Sequence, residues 1–234
     1  RPRGGGGGVP DRRGMVVARL RLLAGGWRHL VASGVLLARA GRDRQAREAL
    51  VALRRAAEGY AFEPTWTWPK DPLDLAFRPP AAWESISDYE ALVLGAIVQE
   101  AAPLRAFEFG TGDGYSAWII QRNSGATVWT LDLPGRAVEP DPRIVPLTGD
   151  SLTFDFAPYV GTMDFVFVDG NHASPWVEAD TEHALALARS GATIVWHDCD
   201  GRHPAVKRCL TKLARRLPLR SVPGTRFVVL MERP

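Results

Sequence analysis

Three alternating glycines, Gly110, Gly112 and Gly114, stand between the apolar run Arg105 to Phe109 and a stretch of helical character, Gly114 to Asn123. A tight glycine turn at a strand end lets a ligand lie against bare backbone, and the helix that follows presents unpaired N–H groups to it. The binding of a nucleotide-type cofactor is the chemistry this suggests. The spacing is Gly-x-Gly-x-Gly, one residue short of the turn that holds a dinucleotide pyrophosphate, which disfavours a nicotinamide-dependent oxidoreductase. Acidic residues recur at the ends of the apolar runs. Glu108 ends the first, Asp132 ends the second at 22 positions after Gly110, Gly149-Asp150-Ser151 follows the third, Asp169 ends the fourth and Asp198 follows the fifth. At that distance from a glycine turn, Asp132 is placed to accept hydrogen bonds from ribose hydroxyls. Asp150 could accept from an adenine amino group, or cap a helix before Leu152.

The elements that must position these groups alternate. Arg105 to Phe109, Thr127 to Asp132, Arg143 to Thr148, Asp164 to Asp169 and Ala192 to His197 have strand character, while Gly114 to Asn123, Ser174 to Arg189 and Pro204 to Arg216 have helical character. Ser87 with Glu90 forms a capping box for a helix through about Glu100. Two last runs, Leu219 to Val222 and Thr225 to Met231, joined through Pro223-Gly224, suggest a closing antiparallel hairpin. Repeated strand-helix units with apolar strands predict an α/β sheet covered on both faces. In such a sheet, ligands bind outside the carboxyl ends of the strands, where these acids lie.

Upstream, residues 1–14 carry Gly4 to Gly8 and four arginines and are expected to be a flexible tail. Residues 15–84 are expected to form a helical extension ending in a Pro- and Trp-rich loop, in which Pro64, Pro69, Pro72, Pro79 and Pro80 interrupt any regular element. That extension would cap the main domain or form a contact in a homo-oligomer, and its loop would act as a lid or as a staple. Residues 85–234 are the main domain. The formal charge is only +3, with no compact Arg/Lys stripe, so a nucleic-acid footprint is not expected. Cys199 and Cys209 are the only cysteines and do not form a ligand-spaced cluster, which suggests a reducing, cytoplasmic setting. Arg19, Arg21, Arg28, His29 and Arg39 break the most apolar N-terminal segment, leaving no span long enough for a bilayer.

Glu108-x-Gly110-x-Gly112-x-Gly114, Asp132, Asp150 and the closing hairpin resemble the class I S-adenosylmethionine-dependent methyltransferases. Gly114-Tyr115-Ser116-Ala117, Met163 to Asp169 and Val195-Trp196-His197-Asp198 narrow the resemblance to the metal-dependent O-methyltransferases, of the catechol type and of the bacterial type that methylates natural-product sugars and carries Asp-Gly-x-His. The resemblance implies a Rossmann-like, seven-stranded sheet with its last strand antiparallel. It also implies that Glu108, Gly110, Gly112, Gly114, Asp132 and Asp150 bind S-adenosylmethionine, with the glycines along its methionine part.

It further implies that the fourth and fifth strands are neighbours, so that Asp169 and Asp198 converge. Paired carboxylates repel unless one is protonated or a cation lies between them, and a divalent ion such as Mg²⁺ answers that need and can acidify a hydroxyl. In the resembling enzymes the group three positions after the first aspartate is the general base, here His172, whose ordinary pKa near ~6.5 suits the task. The catechol type has Asn after the second metal aspartate. This chain has Cys199, a soft ligand poorly matched to Mg²⁺, with Asp200 one residue further as a substitute. His197 is expected to alternate to the other side of its strand as a supporting residue, and His183 and His203 to be surface groups. The implied activity is methyl transfer to a hydroxyl of a small molecule. The rivals are a metal-independent enzyme of the same fold and a non-catalytic scaffold with a cofactor-binding fold.

Overall fold

A computed structural model describes residues 63–64, 86–136, 138 and 140–231. The expectations for the tail, the helical extension and most of the aromatic loop lie outside these residues. Within them the alternation read from the sequence becomes β1 (Glu63–Pro64), α1 (Asp88–Ala101), β2 (Arg105–Phe109), α2 (Tyr115–Ser124), β3 (Thr127–Asp132), β4 (Ile144–Thr148), β5 (Met163–Val168), α3 (Trp176–Leu187), β6 (Ala188–Trp196), α4 (Pro204–Leu213), β7 (Arg220–Ser221) and β8 (Val228–Met231). One sheet holds them in the order β1-β7-β8-β6-β5-β2-β3-β4. β8 runs antiparallel to both β6 and β7, and the pairs from β6 to β4 are parallel. The seven strands from β2 to β8 are those the resemblance implies. β1 adds a two-residue eighth at the edge, parallel to β7. The expectation that the prolines interrupt any regular element is therefore corrected at Pro64, since an edge strand tolerates a residue that cannot donate to the ladder.

Alternation along each strand divides the core into two layers. Phe107, Phe109, Val166, Val168, Ile194 and Trp196 face one way and pack with Val177, Ala184 and Leu187 of α3 and Val206, Leu210 and Leu213 of α4. Ala106, Phe165, Phe167 and Val195 face the other way, against Ala91, Leu94 and Val98 of α1 and Ala117, Ile119 and Ile120 of α2. Both faces are thus covered, as the apolar strands require. Among the described residues no helix is long and apolar enough to cross a membrane.

The local sequence explains the helix starts. Ser87 accepts from the backbone of Glu90, whose side chain accepts from Ser87 in return. Gly114 takes a left-handed φ of 81° to turn the chain into α2, and Pro204 opens α4, where its missing N–H costs nothing.

Gly110 sets the spacing at the centre of the sheet. With φ of 89°, it lies so close to the end of β5 that a Cβ would stand 2.1 Å from the carbonyl oxygen of Asp169. The substitution Gly110→Ala combines that clash with a left-handed backbone and should cost about 3 kcal/mol of stability in chemical denaturation. An unchanged denaturation midpoint would contradict this packing.

Candidate functional site

The carboxyl ends of β2 to β6 surround one cavity of about 710 Å³. Gly110, Gly112, Asp132, Asp150, Asp169, His172 and Asp198 all line it. The sheet order places them in sequence across the cavity, from Asp198 and Asp169 past the glycine turn to Asp132 and Asp150. Glu108 and Gly114, the other two residues expected at the cofactor, stand behind the wall. Glu108 is fully buried and accepts from Thr130, whose hydroxyl lies 2.7 Å from that of Thr111 in the turn. A Cβ on Gly114 would meet Val138 at 2.8 Å. These two residues shape the turn from beneath.

The turn is tied to its neighbours by backbone donors. Gly110 N–H donates to Leu131 across 2.9 Å, and Gly112 N–H donates to Asp132 Oδ2 across 2.9 Å. Asp132 Oδ1 accepts from Leu133 N–H, so the carboxylate keeps a fixed orientation at the cavity wall. Asp150 caps a turn, the second role read for it, though the residues after it do not form a helix. Its Oδ1 accepts from Leu152 N–H at 3.0 Å and also from the Trp176 indole at 2.9 Å.

At the other pole, β5 and β6 are paired neighbours, and Asp169 and Asp198 converge just beyond them. His172 Nε2 lies 2.6 Å from Asp198 Oδ2 and 3.6 Å from Asp169 Oδ1. The 2.6 Å approach to Asp198 lacks hydrogen-bond alignment, which leaves Nε2 a buried atom without a hydrogen-bond partner. β6 ends at Trp196, His197 lies buried with its ring against Phe167 and Phe227 and its Nδ1 2.9 Å from Asp169, and Asp198 then turns the chain with a left-handed φ of 56°. His203, expected at the surface, is half-buried at the same pole, 3.4 Å from Asp198 and 3.1 Å from Asp200. His183 instead stacks on Phe156.

Two further residues join this pole from distant parts of the chain. Arg226 contacts Asp198 Oδ1 through Nη1 and reaches Glu90 through Nε and Nη2, each at 3.1 Å. Glu90 also accepts from His197 Nε2 at 3.2 Å. Only its part in the capping box is a local signal, and nothing local marked Arg226. Burial opposes charge on Glu90, yet the hydrogen bonds from His197 and Arg226 hold it well below the usual carboxylate range. His197 is likewise pushed up to about 10 against its burial, by Asp169 and Glu90. The Asp169 and Asp198 carboxylates raise His172 to about 9. Asp198 is held down to about 2 by His172, His197 and Arg226, again against burial.

The donors at this pole fit a divalent ion. Asp169, His197 and Asp198 form one triad of ligand atoms within 4.8 Å of one another, His172, Asp198 and His203 form another, and the unpartnered His172 Nε2 lies among them. Cys199 does not take part. It is buried outside the cavity, with its N–H on the Arg226 carbonyl, so the soft thiol stays away from the oxygen donors. Asp200 is occupied by Arg202 and His203 and belongs to neither triad.

Residues 90–199 match the family model of a methyltransferase domain. Among solved structures, the chain is similar to the S-adenosylhomocysteine-bound methyltransferase PaMTH1 of Podospora anserina, with 16% identity, 67% of this chain and 83% of that chain covered, and a TM-score of 0.52. It is also similar to the cofactor-bound protein Rv0187 from MTB, with 20% identity, 86% and 95% covered, and a TM-score of 0.51. No curated protein matches in sequence. The chain therefore shares the class I fold of these structures, and the part of it that matches the methyltransferase-domain model, residues 90–199, contains the glycine turn, Asp132, Asp150, Asp169, His172 and Asp198.

Burial pushes the Glu108 carboxyl up to about 8, against hydrogen bonds from Ser116 and Thr130. The folded chain thus holds a proton there that the unfolded chain releases near 4.5, and that contribution to stability is lost as pH rises from 4.5 to 8. Glu108→Gln removes the titration. Its urea midpoint should rise relative to that of the wild-type chain across this interval, and a constant offset between the two would contradict the buried, protonated carboxyl.

Proposed function

We propose that this protein transfers the methyl group of S-adenosylmethionine to a hydroxyl of a small molecule. The observation that carries this reading is the convergence of Asp169, His172 and Asp198 at one pole of a cavity whose other wall is the Gly110-Gly112 turn with Asp132 and Asp150. Methyl transfer is a displacement at a sulfonium carbon, so the protein must hold an oxygen nucleophile in line with that carbon and help remove its proton.

The glycine turn would receive the methionine part of the cofactor against bare backbone. Asp132 would accept from the ribose hydroxyls and Asp150 would face the purine. This orientation brings the methyl group toward the end of the cavity that His172 overlooks. His172 is the base in this reading, and its half-exposed ring is open to an acceptor. Asp169 and Asp198 would hold a divalent ion, which would acidify an acceptor hydroxyl and offset the carboxylates that now keep His172 protonated. Asp169 also orients the pole through His197.

A metal-independent reaction is the second reading, and a specific observation favours it. Arg226, His197 and His172 already compensate the paired aspartates and Glu90 without any added ion. Turnover in excess EDTA separates the two readings: its loss, restored by Mg²⁺ or Mn²⁺, supports the ion, and full retention supports the protein's own cations.

Calorimetry should detect S-adenosylhomocysteine binding, weakened about tenfold or more by Asp132→Ala, an effect of about 1.4 kcal/mol. A screen of hydroxylated acceptors read by homocysteine release should then find turnover. His172→Ala should lower it by about a hundredfold or more while cofactor affinity is retained. No S-adenosylhomocysteine binding would sink the cofactor reading, and full turnover by His172→Ala would remove the base.

A further inference from the structure

The two triads of ligand atoms beside Asp198 differ in chemistry. Asp169, His197 and Asp198 offer two carboxylates and one imidazole, and that imidazole is committed on both nitrogens, to Asp169 and to Glu90. Oxygen donors of this kind suit Mg²⁺ or Mn²⁺. His172, Asp198 and His203 offer two imidazoles and one carboxylate. Two nitrogens and one oxygen beside an open position are a donor set that zinc and similar transition ions take and that Mg²⁺ disfavours.

The geometry of the second triad suits such an ion. Its three ligand atoms lie within 4.8 Å of one another. A four-coordinate zinc, with bonds of ~2.0–2.1 Å, keeps its ligand atoms about 3.3 Å apart. His203 Nδ1 already stands 3.4 Å from Asp198 Oδ1. His172 Nε2 has no hydrogen-bond partner and lies 2.6 Å from Asp198 Oδ2, so it would withdraw by about 0.7 Å to admit an ion. The two imidazoles are adjacent, with ring centroids 4.5 Å apart, and both line the cavity. Their side chains are 40% and 25% exposed, which leaves the triad open to an entering ion.

The loop between β6 and α4 holds these donors in place. Asp200 Oδ1 accepts from the backbone N–H groups of Arg202 and His203, and Oδ2 accepts from Arg202 Nε. Those bonds satisfy the Asp200 carboxylate, so the His203 ring, 3.1 Å from it, can give its Nδ1 to an ion at little cost. Arg226 holds Asp198 through Oδ1 and leaves Oδ2 toward His172. Supporting bonds of this kind orient metal ligands.

We propose that His172, Asp198 and His203 form a binding site for zinc or a chemically similar transition ion, and that occupancy of this site switches methyl transfer off. An ion on His172 Nε2 takes the lone pair with which that nitrogen would receive the proton of the acceptor hydroxyl. It also engages Asp198, and so competes with the oxygen-donor site that Asp198 shares with Asp169. The switch rests on the reading of His172 as the base. The binding site does not.

Calorimetry on the full chain with Zn²⁺ alone tests the site. The wild-type chain should bind zinc with a Kd of about 1 μM or tighter, and His172→Gln and His203→Gln should each weaken it by about a hundredfold. His183→Gln removes an imidazole away from the cavity and should leave zinc binding unchanged. Co²⁺ in place of zinc should give the visible absorption of a four-coordinate ion, and both cavity variants should lose it. His203→Gln should leave Mg²⁺ affinity as it is. In the turnover assay with excess Mg²⁺, zinc should inhibit the wild-type chain, and His203→Gln should need about a hundredfold more of it. No zinc binding, or binding that both cavity variants retain, overturns the site. Zinc that supports turnover as well as Mg²⁺ does overturns the switch. Zinc binding that the variants lose, in a chain that methylates no acceptor, upholds the site and overturns the reaction reading together with the switch.

Discussion

Three carboxylates, Asp169, Asp198 and Glu90, are held at one pole of the cavity by three cationic partners, His172, His197 and Arg226. Acids this close would repel, and removing one partner from a buried network leaves an uncompensated charge that costs about 3–5 kcal/mol. The network also joins parts of the chain that are far apart in sequence. Glu90 comes from α1, Asp169 and His172 from beyond β5, His197 and Asp198 from beyond β6, and Arg226 from just before β8. This pole is therefore assembled from α1 and from segments beside three strands of the sheet. Its electrostatics and the fold stand or fall together.

The sheet order then determines what the rest of the cavity can hold. β2 lies between β5 and β3, so its glycine turn separates the pole of Asp169 and Asp198 from Asp132 and Asp150. Gly110 allows the backbones of β2 and β5 to approach without a side chain between them. The hydrogen bonds from Gly112 to Asp132 and from Thr130 to Glu108 make turn, strand end and buried acid one rigid unit. In the proposed reaction, a cofactor laid along this wall would turn its reactive end toward His172 and its ribose toward Asp132.

The strands, the helices and the turn were legible in the sequence because their signals are local. Apolar alternation, the Ser87-Glu90 capping box and the glycine spacing each sit within a few residues, and the structure places the corresponding elements within a residue or two for most. The partners of the aspartates were less legible. Glu90 and His197 are 107 positions apart and Glu90 and Arg226 are 136 apart, separations at which no periodicity carries information. Trp176 stands within a run of ordinary helical character, and its bond to Asp150 arises only when α3 packs beside the turn after β4.

Turnover with methyl-¹³C-labelled S-adenosylmethionine and a mixture of hydroxylated acceptors tests the central claim most directly, because the product resonance identifies the atom that received the label. The account predicts a methoxy carbon signal with the wild-type chain that is lost with His172→Ala while the variant still binds S-adenosylhomocysteine. A label found on nitrogen or sulfur, or a methoxy signal undiminished in His172→Ala, would contradict it.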